Sequence, residues 1–179
     1  FRADVEAAVP VIERLRPAKL NALTGRRMPG SSADAQYRYL VDQLGWVAER
    51  LDGLGCQLLV ELLNATDTPR YLLASVDAVA QVLADPAGGV AFQLDAFHPA
   101  RAGIDVPAAV AALAPRTGHV QVADAPGRHE PGAGHIDFEA VFTAIRASGY
   151  TGIIGCEYSP SSSEADPFAW MEHAGAVRA

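Results

Sequence analysis

The sequence predicts an α/β fold of parallel strands, a (β/α)8 TIM barrel present here as a partial barrel of about five βα units, in a single domain over residues 1–179. Two observations predict it. Strand-like and helix-like stretches alternate along the chain, and the residues that close four successive strands, Glu61, Asp95, Gln121 and Glu157, follow one another at intervals of 34, 26 and 36 residues. That interval is the size of a βαβ unit, whose two strands run parallel. Each closing residue also carries an oxygen donor, a coincidence hard to obtain by chance. In a barrel such ends converge on one face, where catalytic residues gather; in a doubly wound open sheet, the competing architecture, they would spread along a line.

In chain order, residues 2–16 place Val5, Val9, Ile12 and Leu15 at spacings of three and four, the core face of a helix that Pro10 would weaken or kink. The run 18–25, closed by Gly25, reads as the first strand, with Lys19 to Leu23 at its centre. Ser32 suits the N-cap of a long helix to about Leu54, with Tyr37, Leu40, Leu44, Val47 and Leu51 on one face and Gly55 ending it. QLLVELLN, 57–64, is the second strand. A helix over 76–84 follows and stops at Asp85-Pro86, because the residue before a proline avoids helical geometry. The third strand covers about 90–95, a helix about 107–114, and the fourth strand 118–123, after which a helix capped by Asp137 runs to Ser148. The fifth strand spans 151–157, and SPSSSEADP forms a loop before a short helix from Phe168. The strands are almost continuously apolar, as strands covered on both faces are.

At 179 residues, 50% hydrophobic and 20% charged, the chain is long enough for one domain with a sizeable core and is unlike a disordered polypeptide. Its net charge of -7 argues against general binding to a phosphate backbone, which needs clustered Lys and Arg, so nucleic acid is not expected as a partner. No apolar run has the length of a bilayer span, so a membrane is not expected either. Two cysteines, Cys56 and Cys156, make no disulfide framework and suit a reducing, cytoplasmic setting. Cys156 alternates with Glu157 and is expected as a buried packing thiol on the opposite side of the strand.

The chain centres on GHVQVADAPGRHEP, 118–131. Gln121 lies near the end of that strand, on the side shared with His119 and Ala123, just before a loop carrying Arg128, His129 and Glu130. Glu61, Asp95, Gln121 and Glu157 together offer three carboxylates and one amide carbonyl. These hard donors suit Mg²⁺ or Mn²⁺ better than zinc, and no Cys or His pair has zinc spacing. His98, three residues after Asp95, is a candidate hydrogen-bond partner for a substrate. A guanidinium such as that of Arg128 beside such a site suits a bidentate grip on a carboxylate, the alternative being a surface pair with Glu130 or Asp124. Asn64 and Asp67 are turn-forming residue types, and Asn64 is also a candidate substrate contact.

Three segments, VQVADAPGRHEP, FQLDAFH and GYTGIIGCEYSP, resemble the corresponding segments of hydroxypyruvate isomerases, members of the xylose-isomerase-like barrel superfamily that also holds ketose 3-epimerases and endonuclease IV. The similarity runs from about Phe1 to Trp170. It implies an isomerase that interconverts hydroxypyruvate and tartronate semialdehyde (2-hydroxy-3-oxopropanoate) through an enediolate. It further implies a divalent metal, Mg²⁺ or Mn²⁺, held by Glu61, Asp95, Gln121 and Glu157, with Glu61 and Glu157 transferring the proton. His98 and Arg128 would contact substrate, and His129 would help Arg128 hold its carboxylate. A small 2-oxo acid or sugar is then the expected partner, with assembly into a homo-oligomer left open. The alternatives are a related 2-oxo acid isomerase, a ketose 3-epimerase, an endonuclease IV-like repair enzyme, or a non-catalytic barrel remnant. Barrels of this kind need about 250 residues. Nothing here matches the first three βα units, so these residues are expected to be the C-terminal portion of such a barrel. Left open on that side, the ring would strip Leu59, Gln93 and Ile153 of interior neighbours.

Overall fold

The apolar runs become five parallel strands, β1 (Lys19–Asn21), β2 (Gln57–Glu61), β3 (Val90–Asp95), β4 (Thr117–Val122) and β5 (Ile154–Cys156). They stand side by side in the order of the chain, β1-β2-β3-β4-β5, as staves of a barrel do, and not in the reversed order of a doubly wound sheet. The structure, a computed structural model, describes residues 1–84, 89–163 and 166–173. The stop expected at Asp85-Pro86 and part of the SPSSSEADP loop lie outside the described residues.

Helices accompany the strands of this curled half-barrel, α1 (Arg2–Leu15), α2 (Ala33–Asp52), α3 (Val76–Ala84), α4 (Phe97–Arg101), α5 (Val106–Leu113), α6 (Phe138–Ala147) and α7 (Trp170–His173), with the short α4 at the C-terminal end of β3. Local chemistry fixes several starts. Ser32 and Asp137 accept hydrogen bonds from Ala35 N and Ala140 N, so both expected caps form, and Asp105 caps α5 in the same way. The core lies between these helices and the outward side of the strands, where Leu58, Val60, Phe92, Leu94, Val120 and Val122 meet Leu44, Val47, Leu51, Val79, Val110 and Val141. Each such side chain contributes about 1.5–3 kcal/mol by leaving water. The opposite residues of the same strands, Asn21, Leu59, Glu61, Gln93, Asp95, His119 and Gln121, line the concave side.

The register of β4 against β3 slips at one residue. Phe92 pairs with Thr117 but Gln93 pairs with His119, so Gly118 is an extra residue in β4 and forms a bulge. Bulges bend a strand and tighten its twist. A Cβ on Gly118 would lie 2.8 Å from Leu59 Cδ2 and 2.9 Å from Ala91 Cβ. Leu59 (2% exposed), which Gly118 approaches, and Gln93 (7%), which donates to Gln121 Oε1, thus keep the cover that an open ring was expected to deny them. Ile153, just before the last strand, is 81% exposed as expected.

Other departures from the sequence reading follow from packing. Pro10 sits inside an unbroken α1. Leu15 is 70% exposed, not on the core face, because α1 ends there and Arg16 turns the chain away in a left-handed conformation. The first strand is shorter than 18–25: after Asn21 the backbone leaves the sheet, and Arg26 forms a bridge with Tyr71. The short helix α4 falls where a loop was expected, since five residues are too few to show a helical period. Cys156 is exposed, not packed. Alternation gives its side correctly, but β5 is an edge strand, bonded only to β4.

Gly118→Ala should lower unfolding stability by about 1–3 kcal/mol, the usual cost of overpacking, because Ala91 sits on the adjacent strand and cannot rotate away. Urea denaturation measures this; an unchanged midpoint would show that the two strands part at no cost.

Candidate functional site

The register sets neighbouring strand ends within two residues of one another. Glu61 closes β2 opposite Gln93, Asp95 closes β3 opposite Gln121, and Gln121 lies opposite Gly155 of β5. Glu157 follows β5 directly, its N–H donating to Val122 O at 3.2 Å. One ligand atom each from Glu61, Asp95 and His98 lies within 4.8 Å of the others, and all three residues are buried.

Burial makes this cluster electrostatically demanding. It pushes the Glu61 carboxyl up to about 7, with Asp95 adding to the rise and hydrogen bonds from Asn21 and Gln93 opposing it. Asp95 is pushed up to about 6 by burial, against the N–H of Phe97 and the charge of Arg128. Asn21 Nδ2 donates to Glu61 Oε2 at 2.7 Å, and Phe97 N donates to Asp95 Oδ1 at 3.0 Å. The second contact starts α4 and thereby places His98.

The tautomer of His98 follows from a chain of donors. The backbone N–H of Asp67 must donate, and it does so to Asn64 Oδ1 at 2.8 Å. The other end of that amide, Nδ2, is therefore turned to Asp67 Oδ2 at 3.0 Å and His98 Nδ1 at 2.9 Å. Nδ1 accepts, so the proton of the neutral ring sits on Nε2. That nitrogen faces Asp95 Oδ2 at 3.7 Å and Glu61 Oε1 at 4.0 Å. Burial, then the nearby charge of Arg128, hold His98 down at about 4, so it meets the carboxylates as a neutral donor. Asn64 is thus the residue that orients His98.

Arg128 bridges two strand ends. Its NH2 nitrogen is 3.0 Å from Asp95 Oδ2 and 2.8 Å from Glu157 Oε1, and its guanidinium lies over the Phe97 ring, 5.0 Å from the centroid. Gln121 lies beside the cluster, its Oε1 accepting from Gln93 Nε2 at 2.7 Å. His129, by contrast, turns to the next loop, with Nδ1 2.8 Å from Ser159 O, while Glu130 accepts from Ser161 N at 2.8 Å. The structure therefore brings together Glu61, Asp95, His98, Arg128, Glu157 and, behind His98, Asn64. It places His129 at a seam between two loops.

The loop that carries Arg128 hangs on Asp124, which is buried. Its Oδ1 accepts from Ala125 N and Ile136 N, and its Oδ2 from Gly132 N and Gly134 N, at 2.8–3.0 Å. Asp124 N also donates to His129 O at 2.7 Å. The sequence reading assigned no such role to Asp124, Asn21 or Gln93. Gln93 had a signal, since it shares a strand side with Asp95 two residues on. Asn21 would have followed from the strand-end rule had β1 been read as ending there.

This chain belongs to the xylose isomerase-like TIM barrel family, whose pattern it matches over residues 1–178. It is 37% identical over 177 residues to a putative hydroxypyruvate isomerase of Streptomyces coelicolor, covering 96% of this chain and 63% of that protein. It is 30% identical over 174 residues to a 2-oxo-tetronate isomerase of Pectobacterium atrosepticum, covering 96% and 66%. The chain thus spans about two thirds of the length of these curated relatives. A crystal structure of an AP endonuclease, family 2, from Brucella melitensis is similar with a TM-score of 0.80 at 30% identity, over 96% of this chain and 67% of that one. Among the described residues no helix is long and apolar enough to cross a membrane.

Asp124→Asn puts an NH2 group against two backbone N–H donors. Each buried group left unpaired costs about 1–3 kcal/mol. The amides of residues 125–136 should lose hydrogen-exchange protection before the rest of the domain opens; protection equal to that of the parent would show that the loop is held otherwise.

Proposed function

We propose that the protein is a divalent-metal-dependent aldose-ketose isomerase that interconverts hydroxypyruvate and tartronate semialdehyde. The observation that carries this reading is the buried cluster of Glu61 and Asp95 beside His98, at the mouth of a parallel half-barrel and next to the guanidinium of Arg128. The donor set fits Mg²⁺ or Mn²⁺. Glu61 is a buried carboxylate that, among the described residues, receives hydrogen bonds and faces the neutral His98 but meets no Lys or Arg, and carboxylate and amide oxygens are the ligands these ions take. Glu61, Asp95, Gln121 and Glu157 would hold the ion. When bound, it would supply a Lewis acid for the negative charge that grows on the substrate carbonyl oxygen.

The chain's own residues do the rest. The C3 hydrogens of hydroxypyruvate lie next to the C2 carbonyl, so a carboxylate can remove one and leave an enediolate. One of Glu61 and Glu157 takes that proton; the other returns a proton to C2. The C3 hydroxyl gives up its proton and the C2 oxygen gains one, so C3 becomes the aldehyde and atoms balance. His98 donates from Nε2 to a substrate oxygen and Arg128 receives the carboxylate, without the help expected of His129, whose ring is turned to Ser159 O.

The Pectobacterium relative supports a second reading of the same site, in which a longer 2-oxo acid is isomerised by the same two glutamates. A DNA-repair role, which the name of the Brucella protein raises, is disfavoured by a net charge of -7 and by a single histidine in the cluster. Two unpaired cysteines favour the cytoplasm.

Glu61→Gln and Glu157→Gln, each made in the complete protein, keep one oxygen donor and the side-chain shape but cannot carry a proton. Each should lower kcat on hydroxypyruvate about 100-fold or more, with a circular dichroism spectrum like the parent's. Near-parental kcat in either variant would remove that residue from proton transfer.

A further inference from the structure

Asp95 and Glu157 belong to different strands, and one nitrogen of Arg128 touches both, at 3.0 Å and 2.8 Å. Those two contacts use Asp95 Oδ2 and Glu157 Oε1, while the other Asp95 oxygen already accepts from Phe97 N. An oxygen that donates its lone pairs to a divalent ion faces that ion, and a guanidinium in the same place would be driven off by like charge. Elsewhere the guanidinium is lightly held. It rests on the face of Phe97, and its Nε is buried with no hydrogen-bond partner. The backbone beneath it is fixed: Arg128 takes φ 56°, its carbonyl accepts from Ser159 N at 3.1 Å, and Asp124 and His129 are bridged around it. The side chain can therefore move while the loop stays.

We propose that Arg128 is the resident counter-cation of the metal-free site, that a divalent ion displaces it from Asp95 and Glu157, and that only the displaced guanidinium is available to a substrate carboxylate. Metal and carboxylate then bind with positive coupling, the metal first. The inference rests on the proposed role of Asp95 and Glu157 as metal ligands and adds to it an order of events. It also assigns Arg128 two successive partners, protein carboxylates and then a ligand carboxylate. By linkage, whatever frees Arg128 favours the ion, and whatever ties Arg128 to Asp95 opposes it.

The test is Mn²⁺ binding to the complete protein, read from the electron paramagnetic resonance signal of free Mn²⁺, in the parent and in Arg128→Met. Met fills similar space without charge, so Mn²⁺ should bind the variant about tenfold more tightly, within the 5- to 150-fold range of ordinary coupling. The Tm of the variant should also rise more on adding Mn²⁺ than that of the parent. A parent that binds Mn²⁺ and a variant that binds it equally or more weakly overturns the displacement and leaves the metal site standing. Failure of both to bind overturns the metal reading and this inference with it. A second measurement needs no folded variant. In the parent, the Arg128 Nε–H resonance should move toward the position of a solvated arginine on saturation with Mg²⁺; a resonance that stays in place at saturation overturns the displacement.

Discussion

Two carboxyl groups, Glu61 and Asp95, are buried with ligand atoms no more than 4.8 Å apart, and the rest of the site answers that fact. Even at that limit two unit charges repel by about 3.5 kcal/mol at an effective dielectric constant of about 20. That is a large share of the roughly 5–15 kcal/mol by which a domain is stable. Such a pair persists only if protons, hydrogen bonds or a cation offset it. The structure uses all three kinds of relief: raised carboxyl pKa values, donors from Asn21, Gln93 and the Phe97 N–H, and the guanidinium of Arg128.

The fold supplies the pair its geometry. Parallel strands in chain order set their C-terminal ends side by side, neighbours within two residues of one another. Two loops then add directional groups. The loop after β2 uses Asp67 and Asn64 to leave the proton of His98 on the nitrogen that faces the carboxylates. The loop after β4 is wound on the four N–H bonds to Asp124 and carries Arg128 to Asp95 and Glu157. A neutral donor, His98, and a cation, Arg128, thus face the acids at these strand ends. That combination suits a proton transfer next to a carbonyl better than it suits hydrolysis by a nucleophilic side chain.

The fold was legible because parallel strands buried on both faces write near-continuous apolar runs, and because Glu61, Asp95 and Glu157 interrupt those runs at one end. What stayed hidden depends on contacts between distant segments. Asn21 was masked by a strand read four residues too long, since the backbone leaves the sheet to meet Tyr71, 45 positions away from Arg26 in the chain. The partnership of Arg128 with Asp95 spans 33 positions, and no local pattern separates it from a surface pair with Glu130. Asp124 looked like any acid before a loop, because its four partners are backbone groups without a sequence signature. Alternation gave the side of Cys156 but not its exposure, which depends on what packs over an edge strand.

On the proposed reading Glu61 and Glu157, with a divalent ion, move a proton on a carbon next to a carbonyl. Proton NMR of hydroxypyruvate in D2O with the complete, Mg²⁺-loaded protein tests it most directly. The C3 proton signal should fade as deuterium enters, tartronate semialdehyde should appear, and both changes should stop in excess chelator. A folded, metal-loaded protein that leaves the C3 protons in place, or exchanges them equally fast in excess chelator, would contradict it.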